Sequence, residues 1–155
     1  MSKLRWSDAL SLDLPLMDAT HREFVDLLAA VADAPDSDLV AACGRLVDHT
    51  DAHFAQEDRW MAQTRFASGN CHATQHDVVL KVLREGLAAG AAGQLEVIRH
   101  LARELAAWFP QHTQTMDTTL ALHLRNVGFD PLTGVVAHHE RLPAETITGC
   151  NGSCG

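Results

Sequence analysis

Histidine and acidic residues recur in this chain at spacings that suit metal binding. His53 and Glu57 are four apart, as are His72 and His76. Residues four apart stack on one face of a helix, so each pair can point at one centre. His112 and Asp117 are five apart, a looser spacing, yet an aspartate a turn and a half along still reaches a bridging position. His21 stands alone upstream. Imidazole with carboxylate suits iron, and equally zinc, copper or manganese. Five imidazoles and two carboxylates exceed the needs of one ion and match two ions with two bridging carboxylates. A single His-x-x-x-His is weak evidence, because it usually marks a solvated helix face. Matches in order along the chain, one per helix, are much harder to obtain by chance.

Four helices must carry these residues. Phe24, Leu27, Leu28 and Val31 recur at helical spacing after a start near Asp18, with Asp18 as N-cap or Thr20 and Glu23 as a capping box. A second helix begins at Ser37 or Asp38 and reaches about Gln63. A third begins near Cys71 and ends at the turn bracketed by Gly90 and Gly93. A fourth runs from about Gln94 to Leu124, with Pro110 expected to kink it. Residues 1–17 read as an arm interrupted by Pro15 and pinned by Trp6, Leu10, Leu12, Leu14 and Leu16. Long amphipathic segments with short links predict an all-α, up-down-up-down four-helix bundle with an N-terminal arm and a C-terminal extension. The expected units are a bundle over 1–127 and a tail over 128–155, read as a disordered end.

The 155 residues suit one domain, and 46% of them are apolar, enough for a core. A net charge of −8 argues against nucleic acid as a partner. No apolar run approaches bilayer length, and Met-Ser-Lys-Leu-Arg-Trp leads into a polar segment, so no membrane or secretory signal is read and the expected location is the cytoplasm.

The motifs resemble those of the hemerythrins, most closely the bacterial single-domain forms, over residues 4 to 124. The shared positions are Trp6, Asp18-x-x-His21, His53-Phe54-x-x-Glu57-Asp58-x-x-Met61, His72-x-x-x-His76 and Trp108-x-x-x-His112-x-x-x-x-Asp117. All seven ligand positions of that family carry the expected residue type. The resemblance implies that His72, His76 and His112 hold one iron, and that His21 and His53 hold a second with an open position. Glu57 and Asp117 would bridge the two ions beside an oxo or hydroxo bridge, and O2 would bind reversibly at the open iron. Phe24, Phe54, Trp108, Phe109 and Thr113 are the expected pocket wall.

Thr113 departs from the apolar residue usual after the fourth helix's histidine. Its hydroxyl can bond back to the helix or face the bound gas. Thr20 stands where glutamine is common. His49 lies four residues before His53, where a histidine behind the site or on the surface is more ordinary than a ligand; Asp58, after Glu57, and Asp18, three before His21, could each orient an imidazole, though a cap or a solvated face is more ordinary. His138, His139, Cys150 and Cys154 leave open a second metal site, a redox pair or a contact with a redox partner. The function expected is non-enzymatic O2 carriage, storage or sensing. The alternatives are a di-iron enzyme reducing peroxide or nitric oxide, and an iron-buffering protein.

Overall fold

Short links dictate the topology. In the computed structural model, which describes residues 3–144, helix α1 spans Pro15–Asp33 and α2 spans Asp36–Gln63, with two residues between them. Helix α3 spans Gly69–Ala91 and is joined by three residues to α4, Leu95–His112. The last rod continues through a π-helical turn, Thr113–Asp117, into α5, Thr118–Asn126. Links this short force each helix to run back along the one before it. Consecutive helices pack on each other and α4 closes on α1, completing an all-α four-helix bundle. No described helix is long and apolar enough to cross a membrane.

The first helix starts earlier than the sequence suggested. Pro15 does not interrupt the arm; it opens α1, where its missing N–H costs nothing. Asp18 is therefore inside the first turn, and its carboxylate accepts hydrogen bonds from Leu12 N–H (2.8 Å) and Ser11 Oγ (2.7 Å). Thr20 donates to the Leu16 carbonyl and forms no capping box. The arm also docks through Trp6, whose ring lies 5.3 Å beneath the Arg22 guanidinium.

The apolar residues form two separate cores. One contains Phe24, Leu28, Leu46, Leu83, Ile98 and Phe109. The other contains Met17, Trp60, Met61, Leu120 and Leu124. Along α1, α2 and the last rod, the chain passes from one core to the other, and the metal-type residues fall in the gap between them. His21 follows Met17 and precedes Phe24; His53 and Glu57 lie between Val47 and Trp60; His112 and Asp117 lie between Phe109 and Leu120. A polar layer is thus sealed by apolar packing above and below.

The chain past Asn126 doubles back. Gly128, at φ +64°, closes α5: its own N–H reaches the Arg125 carbonyl, and Phe129 N–H reaches that of Leu124. Phe129 pairs with Val136 in one antiparallel bridge, and both are buried in the second core. Cys150 and Cys154 lie outside the described residues. At Gly128 an added Cβ would meet the Ala137 Cβ at 2.8 Å, on a backbone conformation that L-residues disfavour. Gly128→Ala is expected to cost about 1–2 kcal/mol. Urea unfolding of the two proteins side by side measures it.

Candidate metal centre

All seven candidate metal-ligating residues are buried, and they meet in one layer. His72, His76, His112, Glu57 and Asp117 each offer a donor atom within 4.8 Å of the others, and His21, His53 and Glu57 form a second such group. The carboxylates span the two. Glu57 Oε2 lies 2.6 Å from His53 Nε2 and 3.2 Å from His21 Nε2, while its Oε1 is 3.6 Å from the Nε2 atoms of both His72 and His76. Asp117 Oδ1 lies 2.9 Å from His72 Nε2 and 3.3 Å from His112 Nε2, and its Oδ2 is 3.2 Å from His21 Nε2. Each carboxylate therefore turns one oxygen to each group of histidines.

The π-helical turn explains the spacing of five. In a regular α-helix, residues five apart point roughly 140° from each other. Here Thr118 N–H bonds to the Thr113 carbonyl, five residues back, and the Thr118 hydroxyl reaches the same carbonyl at 3.0 Å. Widening that single turn brings Asp117 round to the face that carries His112. Pro110 lies inside α4, two residues before the ligand position and three before the widened turn.

The layer fits metal ions on its own chemistry. Among the described residues, ten buried side-chain polar atoms lack a hydrogen-bond partner, and nine belong to these seven residues. They include Nε2 of His72, His76 and His112, Glu57 Oε1 and both Asp117 oxygens. Buried polar groups are normally satisfied, and buried carboxylates need a cation. Protons supply part of that need in the metal-free protein. Burial alone would lower the His21 pKa, but Asp117 and Glu57 overcome it and raise the imidazole to about 10. His72 is raised in the same way, against burial, by Asp117 and Glu57. Burial and the Asp117 charge push Glu57 up, yet His53 and His21 prevail and hold it down to about 2. Asp117, also opposed by burial, is drawn well below its usual range by His112, His21 and His72.

Two residues outside the seven orient ligand rings. Asp58 Oδ1 accepts from His76 Nδ1 at 2.9 Å, and Gln75 Oε1 accepts from His112 Nδ1. Both leave Nε2 facing the layer. Asp58, half-buried, is thus an acceptor behind a candidate ligand ring and not only a solvated acid, a role its place beside Glu57 hinted at. Gln75 was missed; no spacing relates it to a histidine 37 residues away. His49 turns away from the layer. Its Nε2 donates to the Thr20 carbonyl at 3.2 Å, and its ring lies 5.9 Å from that of His53.

The aromatic residues divide between the two sides. Phe24 stacks on Phe109 at 4.6 Å, and Phe109 meets the His21 ring edge-on at 5.4 Å. Phe54 stacks on His76 at 4.0 Å and Trp108 on His112 at 4.4 Å. Phe54 also lies 5.2 Å from His53. His138 sits 3.4 Å from Glu140 and, with His139, is in neither metal-type group.

Two outcomes follow for the metal-free and metal-loaded protein. A carboxylate held below its ordinary value of 4.5 stabilises the fold above that pH and ceases to as pH falls towards 2. An imidazole raised from 6.5 to about 10 stabilises the fold fully below 6.5 and ceases to as pH rises through 10. Thermal melts of the metal-free protein should therefore peak between these ordinary values and fall on both sides; a flat profile would contradict the electrostatics. For Asp58→Asn, metal retention against a chelator should weaken about tenfold, because the His76 ring loses its charged acceptor.

Comparison with known proteins agrees with this geometry. Residues 12–124 match the model of the hemerythrin HHE cation binding domain. The bacteriohemerythrin of Ralstonia nicotianae is 40% identical over 130 residues, covering 84% of this chain and 95% of the relative. That of Stenotrophomonas maltophilia is 28% identical, covering 78% and 81%. A third, from Pseudomonas paraeruginosa, is 26% identical, covering 76% and 78%. With its helices, its layer of histidines and carboxylates, and a match spanning most of its length, the chain belongs to the hemerythrin family.

Proposed function

We propose that this chain holds two iron ions and uses them to bind O2 reversibly. The observation that carries the reading is the unequal sharing of donors. Three histidines gather on one side and two on the other, with both carboxylates reaching across. His72, His76 and His112 would hold one ion, His21 and His53 the other, and Glu57 and Asp117 would bridge them with an oxo or hydroxo group. The two-histidine side has fewer protein donors, which leaves room for a small ligand. A pair of ferrous ions supplies two electrons reversibly, which is the redox chemistry that O2 requires.

The protein's own contribution is to position and to exclude. Both ligand-bearing segments of α2 and α3 are rigid helix, so the donors need little rearrangement. Asp58 and Gln75 fix two imidazoles on the three-histidine side. Phe24 and Phe109, both fully buried, close the two-histidine side to bulk water. Phe54 and Trp108 pack the opposite wall against His76 and His112. Donors this deeply buried and already gathered favour binding and release over turnover.

The test is spectroscopic. Iron-loaded protein, reduced under argon and then exposed to air, should develop a visible charge-transfer band that disappears on deoxygenation and returns over repeated cycles. Two irons per chain by metal analysis should accompany it. Irreversible bleaching in the first cycle with peroxide consumption would instead establish an enzyme, and two tightly held zinc ions would overturn the iron assignment.

A further inference from the structure

Thr113 behaves unlike the other threonines in the helices. Thr20, Thr50, Thr74, Thr115 and Thr119 each donate to the carbonyl four residues back, and Thr118 to the one five back. That back-bond is the ordinary fate of a helical hydroxyl. Thr113 Oγ1 makes none. The residue is wholly buried, and among the described residues its hydroxyl is the only buried side-chain polar atom outside the seven donors that lacks a partner. An unpaired buried hydroxyl is costly, so its persistence points to a partner supplied from outside the chain.

Its place in the helix says where that partner sits. Thr113 lies four residues after Phe109, one α-helical turn along the same face, and opens the widened turn that ends at Asp117. Phe109 meets the His21 ring at 5.4 Å, and Asp117 Oδ2 lies 3.2 Å from His21 Nε2. Along the chain Thr113 thus falls between two residues that both approach His21, which belongs to the side with fewer protein donors. The other wall residues there, Phe24 and Phe109, have no hydrogen-bonding group to offer.

We propose that the Thr113 hydroxyl donates a hydrogen bond to a small anion seated beside His21 and His53, and so selects anionic ligands with an acceptor atom at that position. The inference rests on the paired-metal reading of the site. A hydroxyl in a dry pocket favours an anion over a ligand without an acceptor, because a charged acceptor strengthens the bond.

Azide, a small linear anion, is a suitable probe. It is titrated into the oxidised, iron-loaded protein and followed by its absorption band. Thr113→Val keeps the volume and removes the hydroxyl; about a tenfold loss of azide affinity is expected, as for one hydrogen bond to a charged group. Thr113→Ser should keep near wild-type affinity, and Thr113→Ala should behave like the valine variant. The metal-free valine variant should melt at or above the wild-type temperature, since it loses an unpaired buried hydroxyl. Unchanged azide affinity in both hydroxyl-free variants, each carrying two irons, would overturn this inference alone. A wild-type chain that takes up no iron pair would overturn the proposed function, and this inference with it.

Discussion

Two carboxylates buried side by side in an apolar bundle set the terms for everything around them. Glu57 and Asp117 lie inside a layer that two hydrophobic cores seal above and below. Neither charge can reach water, so each must be met by cations within the layer. Five imidazoles surround them, and in the metal-free protein the carboxylates raise the pKa of His21 and of His72 against burial, which favours protons there. Those protons occupy positions that a metal can take over, so metal binding and proton release are coupled. The six orphaned atoms that face the layer, Glu57 Oε1, both Asp117 oxygens and Nε2 of His72, His76 and His112, are the sign that protons alone do not complete it.

The layer has two unlike halves. On one side three histidines converge; Asp58 and Gln75 brace two of them from behind, and Phe54 and Trp108 stack on the same two rings. On the other side are two histidines, with Phe24 and Phe109 against them and Thr113 one turn after Phe109. Nδ1 of both His21 and His53 lacks a hydrogen-bond partner. The braced half is built to hold its occupant fast, while the unbraced half has fewer donors and a wall of rings. Under the proposed function, such a division would place retention at one end of the site and exchange at the other.

Backbone detail serves the same layer. The widened turn at Thr113–Asp117 rotates Asp117 onto the face of His112, and single π-helical turns recur at functional sites for this kind of reason. It also carries Thr113 at its first position. The short links between helices keep the four rods in register, so donors from α1, α2, α3 and the last rod arrive at one level.

Local periodicity was enough to read four helices, their apolar faces and the His53–Glu57 and His72–His76 pairs, because spacing along one helix decides which side chains share its face, while the family resemblance completed the candidate set with His21, His112 and Asp117. The bundle followed from the short links. What periodicity could not resolve lay at element ends and between elements. Pro15 reads as a break or as the first residue of a helix, and only the seating of Asp18 against the arm distinguishes them. The hydrogen bonds of Asp58 and Gln75, the split of the aromatic residues between two walls, and the lack of a back-bond at Thr113 all depend on which helix faces meet. That is settled by packing between residues far apart in the chain, which no local pattern encodes. The sequence by itself determined the donors and the rods that hold them. Only the tertiary structure brings the donors together at the distances that make the two halves implied by the family resemblance, because those are distances across the bundle and not along it.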